Sequence, residues 1–361
     1  MVLRYCCKEV VPFTAMVAVE CTNVGLNTLF KAASMNGMSY SVFIVYSFAL
    51  CTLVSFPLTF IFRRAGLPSF KFSLLYRFML LGLIGFLYNM FGYKGIEYSS
   101  PTLASALSNL TPAFTFILAV IFRMENLALR SSSTQAKIIG TVLSISGALV
   151  AILYKGPTLL SSSSSTPSIK KLDHPLESSQ TNWLIGGLLL AAGYLMLSIW
   201  YIVQTQIMKI YPSELIAIFL YFLCTVMIAA PVCLLTEKNS SAWRLRLDIS
   251  LVTIIYAGFF GPTLSTAVHT WGLHLKGPLY VSIFKPFSVV IAAAMGAIFL
   301  GDALHLGSVI GATILSIGFY GIIWGKAKEA EEEEEMSADF GSDDCLGSAS
   351  PIGNTRPLLL S

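Results

Sequence analysis

Glu20, Asn23, Asn27 and Lys31 lie in the stretch MVAVECTNVGLNTLFK, inside an apolar run that begins near Pro12. At about 100° per residue they fall within about 80° of arc, on one face of a helix. A carboxylate followed by amides on one stripe offers a partner for a cation and hydrogen bonds for a polar solute. Further along, Asn89, Tyr93, Asn109, Thr111, Gln204, His269 and Lys285 also sit within apolar runs. In a bilayer a charged side chain at a helix centre costs about 2.5–3.5 kcal/mol on insertion scales, so such residues face a cavity or a partner.

The elements that position these residues follow from composition. Of 361 residues, 55% are hydrophobic and 12% charged, and the mean hydropathy is +0.73; soluble domains carry about 25% charged residues. Apolar runs of about 20 residues recur, each long enough to cross a hydrocarbon core of about 30 Å. The expected fold is therefore an all-α polytopic membrane protein. It has ten transmembrane helices near 11–31, 41–62, 74–94, 100–122, 136–154, 183–204, 213–235, 251–274, 279–300 and 305–325. The first run is too long and too charged for a cleavable signal peptide and reads as a spanning helix.

Charge sets the expected orientation. The segment from Lys326 onward holds three basic and nine acidic residues, net −6, so the formal +4 of the whole chain leaves +10 on the remainder. That excess is spread over short loops, which excludes a nucleic-acid footprint. With the N-terminus inside, Arg4, Lys8, Arg63, Arg64, Lys71, Arg77, Arg123, Arg130 and Lys137 are cytoplasmic, as the positive-inside rule favours. The second half is less biased.

The Ser/Pro-rich segment SSSSSTPSIKKLDHPLESSQT divides the spans five and five. KGIEYSSPTLASALSNLTPAF resembles WGLHLKGPLYVSIFKPFSVVI without gaps, setting Gly95 on Gly272 and Pro101 on Pro278, and GTVLSISG matches GATILSIG. Five is odd, so the second copy enters the membrane inverted, an architecture of secondary transporters with sites near the midplane. The expected domains are a cytoplasmic N-terminus (1–10), a first five-helix repeat (11–155), a Ser-rich linker (156–182), a second five-helix repeat (183–325) and a disordered acidic cytoplasmic tail (326–361).

Prolines mark broken helices in matching places. Pro286 removes a backbone donor and frees the Ser282 carbonyl beside Lys285, and Pro112 follows Asn109 in the other copy. Glu20 lies eight residues inside Pro12 and Lys285 eight inside Gly277, about 12 Å deep at 1.5 Å per residue. In one layer they either bracket a zwitterion or pair with each other. The candidate substrate-binding set is thus Glu20, Asn23, Asn27, Asn89, Tyr93, Asn109, Thr111, Gln204, His269 and Lys285, with Pro112 and Pro286 as hinges.

Enzyme signatures are missing: there is no His-Glu-x-x-His, Gly-x-Ser-x-Gly or Walker loop, and no catalytic residue is assigned. No cysteine or histidine spacing suggests a metal, and no cofactor is implied. Expected partners are the lipid bilayer and a small-molecule solute. Gly307, Gly311 and Gly318 recur along one side of the last helix, where the small-residue pattern GSVIG is expected to let helices pack closely, with a homodimer as the alternative; the acidic tail admits a binding partner.

The chain resembles the plant nodulin-21-like, Walls-Are-Thin-related proteins, also called UmamiT transporters. These have two EamA-type domains and belong to the drug/metabolite transporter superfamily. The resemblance rests on PFTAMVAVECTNVGLNTLFKAA, GMSYSVFIVYSFAL, SALSNLTPAFTFILAVIFRMENL, GTVLSISGALVAILYKGP and LYVSIFKPFSVVIAAAMGAIFLGDALHLGSVIGATILSIGFYGIIWGK. It implies ten transmembrane helices and gradient-driven transport of amino acids or related small organic solutes, as facilitator or exporter. Some members carry auxin, which makes an aromatic carboxylate carrier the alternative within transport; a non-transporting scaffold or sensor is the alternative outside it. Members reside at the plasma membrane, the vacuolar membrane or other internal membranes, and the plasma membrane is the expectation here. Glu20 and Lys285 depart from the commoner family choices, a neutral residue and asparagine. A glycosylation sequon engineered beside Ser163 is expected to be modified, seen as an endoglycosidase-sensitive mass shift; cytoplasmic accessibility of that site would overturn the topology.

Overall fold

The structure is a computed structural model that describes residues 11–61, 72–122, 131–154, 156–160, 176–211, 213–245, 247–282, 284–300 and 304–346. Long helices dominate because lipid offers no partner for backbone polar groups, and a helix satisfies them within its own segment. In chain order they are α1 (Val11–Met35), α2 (Tyr40–Ile61), α3 (Phe72–Tyr98), α4 (Pro101–Leu107), α5 (Leu110–Ile121) and α6 (Ser132–Leu153). After a short strand β1 (Thr158–Leu160) come α7 (Leu176–Ile210), α8 (Glu214–Thr236), α9 (Ile249–Phe259), α10 (Pro262–Ser282) and α11 (Lys285–Met295). A π-helical turn (Gly296–Leu300), β2 (Leu304–His305) and α12 (Leu306–Leu346) complete the described chain. β1 and β2 pair antiparallel, a small exception to the helical class.

Eight segments among the described residues are long and apolar enough to cross a membrane. The remaining two expected crossings have physical reasons to fall short of that test. α1 has the length, at 25 residues, but carries the polar stripe, and α11 is only 11 residues long. Apolar side chains such as Leu53, Val142, Leu149, Met227, Leu234 and Ile317 stay exposed on outward faces, where lipid rather than water is the solvent.

Both short helices follow proline logic. Pro112 cannot donate to the Ser108 carbonyl; Thr111 N–H takes that acceptor instead at 3.0 Å, and the helix is interrupted at Ser108–Asn109. In the other half α10 ends at Ser282, four residues before Pro286. α4 itself is well started, with Ser100 accepting from Leu103 N–H at 3.1 Å and Pro101 in the first turn.

Packing brings the two halves into one bundle. α6 runs along α12 and α2 along α8; α3 packs on both α7 and α8, α5 on α7, α9 on α1 and α2, and α1 also contacts α10 and α11. At the α6–α12 crossing glycines let the backbones meet: a Cβ at Gly140 would collide with the Gly318 carbonyl, and one at Gly147 would stand 2.7 Å from Leu315 N.

Two boundaries differ from the sequence expectation. α7 starts at Leu176 rather than near residue 183, so part of the assigned linker is helix. The acidic tail is not wholly irregular, since α12 continues to Leu346. Glutamate and methionine are good helix formers, and the extension is tethered: Lys137 Nζ, 2% exposed, donates to Glu329 Oε2 at 2.8 Å, and Ser133 Oγ donates to the Gly325 carbonyl at 2.7 Å. Charge repulsion alone misses such a tether. Ser163 lies outside the described residues. Replacing Gly318 by valine is expected to cost about 1–3 kcal/mol through overpacking, read as a lower unfolding temperature of the purified protein.

Candidate functional site

The polar stripe of α1 points into the bundle. Glu20 is 2% exposed, although it belongs to the most costly class of side chain to bury. Its carboxylate stands 4.0 Å from His269 Nε2 on α10, an electrostatic contact longer than a hydrogen bond. One turn on, Asn23 Nδ2 donates to Ser265 Oγ at 3.2 Å, again joining α1 to α10. Lys31, at the stripe's end, donates three hydrogen bonds to the carbonyls of Ile96, Glu97 and Ser99 at 3.0, 3.0 and 2.7 Å. It caps the C-terminus of α3, where unsatisfied carbonyls gather partial negative charge.

Glu20, Asn23 and Asn27 line a cavity of about 840 Å³, measured out into its open mouth. The opposite walls carry Asn89 and Tyr93 from α3, Ser105 from α4, Tyr194 and Trp200 from α7, Tyr221 from α8, and Ser265 and His269 from α10. A smaller adjoining space of about 350 Å³ continues along α3 and α7 to Ile96 and Leu190. The two interrupted helices meet at the cavity, where Ser108 and Ser288 hydroxyls stand 3.3 Å apart. Tyr194 Oη donates to the Ala104 carbonyl at 2.6 Å and holds α7 against α4 beside the interruption.

Six of the expected site residues therefore meet: Glu20, Asn23, Asn27, Asn89, Tyr93 and His269. Asn109, Thr111 and Gln204 are fully buried beyond the lining. Gln204 Nε2 donates to Thr270 Oγ1 at 3.2 Å, whereas both amide atoms of Asn109 and the hydroxyl of Thr111 make no hydrogen bond among the described residues. Lys285 and Pro286 open α11, and their side chains lie outside those described.

Sequence reasoning missed the aromatic wall. Tyr88, Tyr194, Trp200 and Tyr221 sit in apolar runs where a ring facing lipid and a ring facing a cavity have the same hydropathy. A usable signal lies in the glycines beside them. A Cβ on Gly85 would run into the Tyr221 ring, so Gly85 is the socket that lets this tyrosine reach the cavity wall. The Gly85 carbonyl also accepts from Asn89 Nδ2 at 2.8 Å.

A helical bundle crossing the membrane repeatedly around a polar, ring-lined cavity, with broken helices from both halves at its edge, defines a membrane transporter. The EamA-like transporter family matches residues 14–153. Three relatives from Arabidopsis thaliana are similar over nearly the whole chain. WAT1-related protein At5g40240 is 58% identical over 90% of this chain and 89% of its own length. WAT1-related protein At4g15540 is 56% identical over 90% and 91%, and WAT1-related protein At3g28050 is 48% identical over 100% and 98%. This chain belongs to the WAT1-related family of EamA-type drug/metabolite transporters. One solved crystal structure matches with a TM-score of 0.54 at 16% identity, covering 87% of this chain and 96% of that one, a likeness of fold alone.

Gly85→Ala forces the Tyr221 ring to move. The variant is expected to stay folded, at a cost of about 1–3 kcal/mol, and to raise the KM for solute flux while its membrane abundance holds.

Proposed function

We propose that the chain is a gradient-driven carrier of amino acids or related small organic solutes, a facilitator or exporter working by alternating access. In this reading ten crossings form two inverted repeats, α1–α6 and α7–α12. Packing supports the exchange symmetry. α6–α12 and α2–α8 each pair a helix with its own counterpart, and the remaining contacts come in swapped sets: α3–α8 with α9–α2, and α5–α7 with α11–α1. An axis that interchanges the halves produces that pattern.

The observation that carries the proposal is the buried Glu20 carboxylate in the wall of a cavity shared by both halves. A second observation supports alternation. Past the cavity, at the start and along α5 and on α7, lie Asn109, Thr111, Thr115, Tyr201 and Gln204, each with a polar atom that makes no hydrogen bond among the described residues. Burying such groups dry costs about 1–3 kcal/mol each. A path that is closed here and hydrated in the alternate state accounts for retaining them. In the expected topology these residues lie on the cytoplasmic side, so the state described faces outward.

The zwitterion reading gives the ammonium to Glu20 and the carboxylate to Lys285. An aromatic carboxylate carrier such as one for auxin fits less well, because an anion entering this cavity meets the Glu20 charge. The test is efflux from cells preloaded with labelled amino acids and auxin, comparing wild type with Glu20→Gln and Lys285→Met at matched membrane abundance. Loss of a charge-assisted hydrogen bond worth about 1.5–3 kcal/mol predicts a fall in amino-acid flux of about tenfold or more. A double variant exchanging the two charges separates solute binding from a structural ion pair, which alone would be restored. Undiminished flux in Glu20→Gln would remove this residue from the site.

A further inference from the structure

Glu20 is the sole carboxylate and His269 the sole other acid–base side chain, apart from the tyrosines, among the described residues that line the cavity. Around them stand six aromatic side chains from both halves: Phe48, Tyr88, Tyr93, Tyr194, Trp200 and Tyr221. Phe48, Tyr93, Trp200 and Tyr221 are packed ring against ring, and Tyr194 is held by its hydrogen bond to the Ala104 carbonyl. Trp200 and Tyr221 meet at 5.4 Å with planes at 64°, and Phe48 meets Tyr221 edge-on at 6.3 Å and 85°. On the other wall, Tyr93 packs against Phe30 and Phe43 at 4.7 Å each. His269 is similarly set against the Tyr201 ring at 5.8 Å. Mutually packed rings hold their faces and edges in place, so this wall is preorganised.

A carboxylate inside a set of aromatic rings has a specific chemical complement. The face of each ring carries the negative end of a quadrupole and attracts a cation within about 6 Å of its centroid, an attraction that grows on desolvation. A carboxylate in low dielectric attracts the same cation and repels an anion. Both features reject a lone carboxylate and select a positively charged nitrogen on an apolar or aromatic body. A hydrated metal ion fits poorly, since hard cations seek several oxygen ligands, and no group of three or more potential metal-binding acids, histidines or cysteines occurs among the described residues.

We propose that the cavity is an organic-ammonium site, in which the charged nitrogen of the solute sits between Glu20 and the Tyr194–Trp200–Tyr221 wall. The solute's body lies against the remaining rings, and Asn23 and Asn27 serve its hydrogen bonds. Recognition is by the ammonium whether or not the solute also carries a carboxylate, so amines without one are ligands. The proposal rests on the transport reading for its biological use, but its chemistry is independent of it.

The test uses the purified full chain in lipid nanodiscs, with phenethylamine and phenylacetate as probes that share a ring and differ in charge. Binding is read as the rise in unfolding temperature with probe concentration. Phenethylamine is expected to bind at least about tenfold more tightly than phenylacetate, Glu20→Gln to abolish that preference, and Trp200→Leu to weaken amine binding several-fold. Equal or tighter binding of phenylacetate by wild type overturns the proposal without requiring any variant to fold, as does the absence of amine binding up to millimolar concentration. Amine preference retained by a folded Glu20→Gln protein also overturns it. Flux in liposomes separates the two readings. Amine-selective binding with no flux of any solute keeps the site and removes the carrier, whereas carboxylate-selective flux keeps the carrier and removes the site.

Discussion

Keeping the Glu20 carboxylate out of lipid is the constraint on which the arrangement of the other helices turns. A charge on a spanning helix is tolerable when its face is covered by other protein elements or opens onto water, and α1 achieves this by turning its polar stripe toward α3, α10 and α11. Asn23 bonds to Ser265 on α10, and Lys31 closes the carbonyl end of α3. The stripe thus does two jobs along one helix. Its middle faces the cavity, and its end cements a neighbour.

Two helices stop part-way beside the cavity. Pro112 and Pro286 each remove a backbone donor four residues after a carbonyl, and the chain breaks at Ser108–Asn109 and after Ser282. In lipid an interrupted helix is tolerated only where it is buried in protein or lines a cavity, and both interruptions are placed where Ser108 and Ser288 meet. Next to α4 and α5 the opposite requirement holds. α6 and α12 cross at glycines with no room for a side chain, forming a close-packed seam.

Aromatic side chains convert that space into one with a chemical preference. Trp200, Tyr221 and Phe48 hold one another by edge-to-face contacts, so the wall they present is set before any solute arrives. Preorganisation of this kind lowers the ordering cost of binding. A methyl added at Gly85 would meet the Tyr221 ring and so reach this wall through that side chain.

By itself the sequence determined the solvent of this protein, its helical class, the face of α1 that must be covered, the matched prolines and the small-residue face of the last helix. Each of these is local: hydropathy, a 100° period and the missing proton of proline act within a turn or two of chain. The resemblance of its motifs also pointed to the family that its relatives bear out. Only the tertiary structure decided that His269 stands 4.0 Å from Glu20, that Tyr194, Trp200 and Tyr221 face a cavity instead of lipid, and that Asn109, Thr111 and Gln204 fall beyond its lining. It also carried α12 through the acidic run, tethered by a Lys137–Glu329 pair with its lysine buried, the two separated by 192 positions in sequence. In a membrane both faces of a helix read as apolar, so no local pattern says which ring meets lipid and which meets a solute; that choice belongs to the packing of helices distant in the chain.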